Sequence, residues 1–195
     1  IIACGVSGCL ITKGTDLSAG RQVGLSACLA AMMLQSVDYA ARALPWMPDL
    51  PWFVALLVVI LIMAVFGAIN GCVIAFLKVP PFIATLGMQT IVYGLCSVVT
   101  GNDPLGGFKS SYSQVALGSL GPIPYLAIFA VAVGAYMLFL YNKTRHGKYM
   151  YAIGGNENAA QVAGVNVPAT LIRIYVLASV LYAIAGFLVG AKAGG

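Results

Sequence analysis

An uninterrupted apolar stretch at residues 52–77, which contains no charged side chain, constrains the fold more than any other feature. A helix needs roughly 20 apolar residues to cross a hydrocarbon core of about 30 Å, and this stretch exceeds that length. Further apolar segments lie at 1–12, 19–37, 81–101, 124–141 and 171–190. In most segments the apolar residues surround the whole helix, and a bilayer excludes open sheet edges. We therefore expect an all-α, polytopic transmembrane helical bundle with about six spans.

Composition supports a membrane location, because 61% of the residues are hydrophobic and only 8% are charged. A soluble domain has roughly a quarter of its residues charged. The five cysteines are scattered through apolar segments without a CxxC pair, so we expect small buried hydrophobes and neither disulfides nor a metal site. Apolar runs stand at both ends of the sequence and no Met opens it. We expect a single transmembrane domain over 1–195, truncated at both ends.

The distribution of basic residues predicts how the bundle is oriented. If the polar loop at 142–170 faces the cytoplasm, seven of the ten Lys and Arg residues fall at inner ends: Lys13, Arg21, Lys78, Lys143, Arg145, Lys148 and Arg173. The other three, Arg42, Lys109 and Lys192, fall outside. An excess of Lys and Arg marks cytoplasmic loops. The net charge of +5 therefore indicates topology, and we expect no nucleic-acid partner.

Proline and glycine mark the turns and the close contacts. Pro80 and Pro81 cannot continue a helix, so segments 52–77 and 81–101 are predicted to form a hairpin that turns at Lys78. The linker 102–123 is rich in Gly, Ser and Pro, which predicts a loop holding a short re-entrant or surface piece. Gly67 and Gly71 form a small-xxx-small pair, which is typical of close helix packing.

The polar loop contains the pattern of a short helix. Asn156 is a favourable N-cap, Glu157 suits the positive end of the helix dipole, and Ala159 and Ala160 have high helix propensity. Gly164 is placed to end the helix in left-handed geometry, and a proline follows at 168.

A helix of about two turns over 156–164 is too short to be stable alone in water. Its outward residues would be small and weakly apolar: Val162, Ala159 and Ala163. Such a helix suits a groove on another protein, and the alternative is a solvated connector between two spans.

Sequence motifs carry a resemblance to a known family. The segment NAAQVAG at 158–164 resembles the motif "EAA, three residues, G" in the cytoplasmic loop of ATP-binding-cassette importer permeases. The acidic position of that motif is Asn158 here. The blocks GTDLSAGRQVGLSA (14–27), VPPFIATLGMQTIVYGL (79–95) and NKTRHGKYMYAIGGNENAAQVAGVNV (142–167) resemble the ribose, xylose and galactoside branch of those permeases. Within it, the likeness is strongest to the galactose and methyl galactoside type.

The resemblance implies the transmembrane subunit of an importer that moves a monosaccharide of the galactose or methyl galactoside type. The loop 142–170 would then be the cytoplasmic coupling loop, and its helix would dock on a separate ATPase. The implied coupling residues are Asn156, Glu157, Asn158, Ala159, Ala160 and Gly164. The implied partners are an ABC ATPase subunit, a periplasmic or extracellular sugar-binding protein, a second permease copy and membrane lipid. The implied location is the bacterial cytoplasmic (inner) membrane, crossed several times.

Six polar residues in or beside the apolar segments are candidates for a transport path or gate: Asp16, Asn70, Thr85, Gln89, Thr90 and Tyr93. Sugars need amide and hydroxyl hydrogen bonds near aromatic surfaces, whereas polar side chains also join helices inside membranes. Asp16 is ionisable, and such a group in a membrane needs a partner or water. Arg21 is a candidate partner. The alternative is that Asp16, or Ser18, caps the following helix.

Other functions have little support in the sequence. There is no GxxxxGK[ST] phosphate loop, so we expect no cofactor on this chain and expect ATP and Mg in the partner ATPase. An ion-coupled secondary transporter or channel is the alternative, and only the segment GTDLSAG hints at its ion site. A membrane enzyme would need a catalytic or metal constellation that we do not find. His146 is expected to be a solvated residue near lipid headgroups.

Overall fold

A computed structural model of the protein describes residues 1–193 and confirms the all-α prediction. The elements in chain order are α1 (Ile2–Ile11), α2 (Ala19–Met33), α3 (Trp52–Phe76), α4 (Pro81–Thr100), α5 (Ser110–Leu117), β1 (Ser119–Leu120), β2 (Ile123–Pro124), α6 (Tyr125–Lys143), α7 (Arg145–Gly155), α8 (Glu157–Val162) and α9 (Val167–Ala193). The two short strands pair antiparallel.

The number of spanning helices differs from the predicted six. Within residues 1–193, four helices are long and apolar enough to cross a membrane: α3, α4, α6 and α9. The helix α1 has 10 residues and α2 has 15, and residues 12–18 between them leave helical geometry. The interruption between these segments was visible in the sequence, but both helices are shorter than the roughly 20 residues that a crossing helix needs. The last helix also starts earlier than predicted, and Pro168 lies in its first turn, where the missing N–H removes no helical bond.

The long helix α9 is the centre of the bundle and packs against α1, α2, α3 and α5. The predicted close packing at Gly67 and Gly71 is confirmed. A Cβ atom at Gly71 would lie 2.6 Å from the Cα atom of Ile172, and one at Gly67 would lie 2.7 Å from the Ser179 hydroxyl. Glycine therefore lets α3 approach the backbone of α9.

One end of the bundle, which we call the loop end, is formed by residues 142–166 and the turn between α3 and α4. The predicted turn at Lys78 is confirmed, and Lys78 has a φ of 55°. The helix α7 was missed in the sequence. Thr144 caps it by accepting from the Gly147 amide at 3.2 Å, and Met150 and Ile153 bury its inner face.

The opposite end carries the predicted surface piece, which is α5. Its Tyr112 is buried, and the hydroxyl donates to the Phe187 carbonyl of α9 at 2.9 Å. Lys109, just before α5, forms an ion pair with Asp49 and donates to the Leu50 carbonyl at 3.1 Å. These contacts fasten the linker 102–123 to the bundle.

Candidate functional site

The segment between α1 and α2 turns at the loop end and then re-enters the bundle. Lys13 lies at the turn, where its Nζ donates to the Gly155 carbonyl of α7 at 3.3 Å. Residues 14–18 then run without helical geometry into the interior, where Asp16 is 5% exposed and Ser18 is fully buried. Irregular backbone is tolerated inside a membrane bundle only where protein or water satisfies its polar groups.

A buried hydrogen-bond network satisfies this segment. The Asp16 Oδ1 atom accepts from the Ser18 amide at 3.0 Å and from the Ser18 hydroxyl at 2.6 Å, and Oδ2 accepts from the Tyr182 hydroxyl at 3.1 Å. The Ser18 oxygen accepts in turn from Gln22 Nε2 at 2.9 Å and Asn70 Nδ2 at 3.3 Å. We call the non-helical residues 14–18 the break. The Ser18 hydroxyl joins the break to α2 and α3, and the Asp16 carboxylate joins it to α9.

Thr85 connects the same segment to α4. Its Oγ1 accepts from the Leu17 amide at 3.1 Å and donates to the Pro81 carbonyl at 2.9 Å. The structure therefore brings three of the predicted path residues, Asp16, Asn70 and Thr85, around one buried break. Each makes hydrogen bonds inside the protein, which corresponds to the helix-joining alternative.

Two expectations about Asp16 are wrong. Asp16 does not cap α2; Ser18, the other candidate, occupies the N-cap position. The Ser18 oxygen accepts from no backbone amide, because it accepts from the side-chain amides of Gln22 and Asn70 instead. Arg21 does not pair with Asp16; its Cζ atom lies over the Tyr93 ring, 4.3 Å from the centroid. Among residues 1–193, Asp16 has hydrogen-bond donors and no ion pair.

The other predicted path residues lie on a more open surface. Tyr93 is 53% exposed, Thr90 is exposed and donates to its own helix, and Gln89 is half-buried. Tyr93 stands near the middle of α4, so Arg21 does not lie at the loop end as the topology argument assumed. An exposed guanidinium at that depth requires water or a polar partner, because lipid solvates it poorly.

A cavity of about 260 Å³ lies beside this pair of side chains, between α2 and α4. Its polar lining includes Arg21, Tyr93, Ser97 and Asn102. A Cβ atom at Gly24 would meet no atom within 4 Å, so glycine keeps this surface open. We call this lining the α2–α4 surface. It offers an aromatic ring, hydroxyls, an amide and a guanidinium, which are groups that can bind a polyol.

The predicted loop helix is present as α8. The Asn156 side chain caps it by accepting from the Ala159 amide at 3.0 Å, and Gly164 has a φ of +85°. Ala160 faces inward and is buried, whereas Val162 is 91% exposed. An apolar side chain this exposed, outside the spanning helices, is available to a partner.

Two polar contacts join the start of α8 to the bundle. Lys78, at the turn between α3 and α4, places its Nζ 3.7 Å from Oε1 of Glu157. Lys13 reaches the Gly155 carbonyl, two residues before that glutamate. The short helix is thereby connected to both the hairpin and the turn that leads to Asp16.

His146 is half-buried on α7, so part of the side chain is accessible; its expected position near lipid headgroups stays a prediction. Burial lowers the pKa of His146 below its usual 6.5, and the nearby Arg173 lowers it further. No cluster of three or more His, Cys, Asp or Glu residues that could hold a metal ion occurs within residues 1–193.

Known proteins resemble the whole chain. The family described as "Branched-chain amino acid transport system / permease component" matches residues 1–195. The chain belongs to this permease family. It is 48% identical over 202 residues to the galactose/methyl galactoside import permease protein MglC of Escherichia coli, an alignment covering 100% of this chain and 60% of that protein.

More distant relatives are named as permeases for other sugars. The chain is 36% identical to the ribose import permease protein RbsC of Bacillus subtilis, covering 98% of this chain and 56% of that protein. It is 30% identical to the D-allose transport system permease protein AlsC of Escherichia coli, covering 100% and 56%. The chain thus spans about 60% or less of these relatives' length. No solved structure matches it.

Family membership confirms the resemblance that the motifs carried. Within residues 1–193, four helices are long and apolar enough to cross a membrane, as a permease of this family requires. The network roles of Gln22 and Tyr182 and the position of Arg21 were not predicted. Arg21 carried no distinguishing signal, because basic residues are common at the ends of spanning segments.

Proposed function

We propose that this chain is the transmembrane part of an ATP-binding-cassette importer that moves a monosaccharide of the galactose or methyl galactoside type. The sugar class is that of the 48% identical permease MglC of Escherichia coli. The energy comes from ATP with Mg in a separate ATPase subunit. A periplasmic or extracellular sugar-binding protein delivers the sugar, and a second permease copy completes the path.

The coupling role is supported by the position of α8, which is exposed on one side and bonded to the bundle on the other. The helix presents the exposed Val162 outward and is joined to the bundle through Glu157 and the neighbouring Gly155 carbonyl. A partner that moves α8 would therefore pull on the Lys78 turn and on the segment leading to Asp16. The loop 142–170 serves as the coupling loop, with Asn156, Glu157, Asn158, Ala159, Ala160 and Gly164 shaping the docking helix.

We assign the sugar path to the α2–α4 surface. Tyr93 is exposed near the middle of α4, and the exposed Arg21 lies over its ring, at a depth where lipid would be a poor solvent for the guanidinium. Gln89 lies one helical turn before Tyr93 on the same helix, and Thr90 is exposed beside it. Asp16, Asn70 and Thr85 support this surface from inside by holding the break in place. The two-state rearrangement of such a bundle supplies alternating access.

The test is ATP-driven uptake of radiolabelled methyl galactoside by vesicles containing the complete transporter. Gly164→Trp places a side chain at a φ of +85° beside the docking face, where a Cβ meets open space. We expect a folded bundle with at least a tenfold loss of uptake.

The matched control is Gly121→Trp in the β1–β2 turn. Gly121 has a φ of +63° and equally open surroundings, but it lies away from the loop end. Normal uptake by Gly164→Trp would argue against the coupling role. Uptake that needs no ATPase would favour the ion-coupled alternative.

A further inference from the structure

A second cavity, of about 310 Å³, lies at the loop end and has no part in the sugar path. It is enclosed by the turn after α1, the turn between α3 and α4, the starts of α8 and α9, and the end of α7. Its polar lining includes Lys13, Lys78, Glu157 and Tyr175. The balance of charge among these side chains is positive.

Both lysines have N–H donors that bind no acceptor among the described residues. Each ammonium group carries three N–H donors. Among the described residues, Lys13 Nζ donates to one carbonyl at 3.3 Å, and Lys78 Nζ has one carboxylate oxygen at 3.7 Å. The second distance is long for a charge-assisted hydrogen bond, which is typically about 2.7–2.9 Å.

Tyr175 supplies an independent reason to expect a ligand. The residue is 1% exposed, and its hydroxyl has no hydrogen-bond partner among the described residues. Buried polar groups are nearly always paired. Gly14 leaves room beside this hydroxyl, because a Cβ there would come within 2.7 Å of it. A hydroxyl and two amines that line one cavity suit an oxyanion.

The surroundings of Lys78 favour a lipid as the source of that oxyanion. The neighbouring Phe76, Leu77 and Phe82 are all exposed, although they are large and apolar. Acyl chains can cover such side chains while the headgroup meets the amines at the membrane surface. Basic pockets between spanning helices on the cytoplasmic side bind anionic headgroups.

We propose that this cavity binds a phosphate group, carried by an anionic membrane lipid or present as free phosphate. Lys13 and Lys78 bind its oxygens, and the Tyr175 hydroxyl donates to it. Glu157 competes for Lys78, so binding of the phosphate loosens the contact between α8 and the α3–α4 turn.

The experiment uses the complete, delipidated protein in detergent. Native mass spectrometry measures retention of short-chain phosphatidylglycerol or phosphatidylcholine, and equilibrium dialysis measures binding of radiolabelled orthophosphate. Lys13→Gln and Lys78→Gln should each weaken binding about fivefold. Tyr175→Phe should also weaken it without changing the charge, and Glu157→Gln should strengthen it. Lys143→Gln, on an exposed residue of the same loop, is the charge-matched control and should have no effect.

The two sources give different results. Preference for phosphatidylglycerol over phosphatidylcholine, lost in the lysine variants, supports a lipid headgroup. Orthophosphate binding with the same dependence on the variants, and no retained lipid, supports free phosphate. Absence of binding to every probe overturns the proposal, as does an equal effect of Lys143→Gln and Lys13→Gln.

Discussion

Ser18→Ala is the sharpest test of how the break between α1 and α2 is held. The side chain is fully buried, and because serine and alanine differ by one oxygen atom the substitution changes little volume and removes one hydroxyl. That hydroxyl donates to Asp16 at 2.6 Å and accepts from the amides of Gln22 and Asn70 at 2.9 and 3.3 Å. Three buried groups therefore lose a partner at once.

The cost follows from the type of each bond. A hydrogen bond to a charged group contributes about 1.5–3 kcal/mol. Each polar bond between membrane helices contributes about 0.6 kcal/mol. We expect Ser18→Ala to lower the free energy of unfolding by about 3–4 kcal/mol, which is roughly a hundredfold to thousandfold change in the folding equilibrium.

The assay is reversible unfolding of the complete protein in mixed micelles, followed by circular dichroism. Ser97→Ala on α4 is the matched control, because Ser97 is half-buried in a spanning helix. Tyr182→Phe, which removes only the bond to Oδ2 of Asp16, should cost less than Ser18→Ala. A loss for Ser18→Ala no larger than that of Ser97→Ala would refute the network's role.

Three further predictions concern packing, pH and the path. Gly71→Val should destabilise the bundle by about 1–3 kcal/mol, because the added side chain overpacks against the α9 backbone. Gly87→Ala should not, because a Cβ atom there meets no atom within 4 Å. Thermal unfolding measures both. Because burial and the neighbouring arginine lower the pKa of His146, the folded state resists its protonation, so stability should fall as the pH drops below about 6.5. A titration of unfolding against pH should be flatter for His146→Gln, and an equally steep profile would contradict the assignment. Arg21→Gln and Tyr93→Ala should each lower sugar uptake in vesicles by about tenfold while ATPase binding stays normal; unchanged uptake in both would remove the α2–α4 surface from the path.

Local sequence signals predicted the features that depend on neighbouring residues. The cap at Asn156, the left-handed Gly164 and the turn at Lys78 each follow from side chains within a few positions of one another. The close approach at Gly67 and Gly71 was also visible, because small residues at that spacing lie on one helix face.

Features that depend on distant residues could not be predicted in this way. The bond from Tyr182 to Asp16 joins positions 166 residues apart, and the bond from Asn70 to Ser18 joins positions 52 residues apart. Nothing in a single sequence pairs them. The helix α7 was not predicted, because its basic residues gave the segment the appearance of a polar loop although Met150 and Ile153 are buried.

The predicted number of spans was wrong because the apolar segments 1–12 and 19–37 were counted as spans. They form helices of 10 and 15 residues, which are shorter than the roughly 20 residues that a crossing helix needs. Residues 12–18 leave helical geometry where the Asp16 carboxylate and the Thr85 hydroxyl satisfy freed backbone groups. Asp16 lies in this segment, whereas Thr85 lies on α4, and only the fold brings them together.

Co-purification of the complete permease with its ATPase is the most direct test of the coupling role of α8. We would isolate the permease from detergent extracts and quantify the ATPase retained by the wild type, by Gly164→Trp and by the Gly121→Trp control. The coupling role predicts stoichiometric ATPase on the wild type and the control, and a loss of at least tenfold on Gly164→Trp. Equal retention by all three proteins would contradict it.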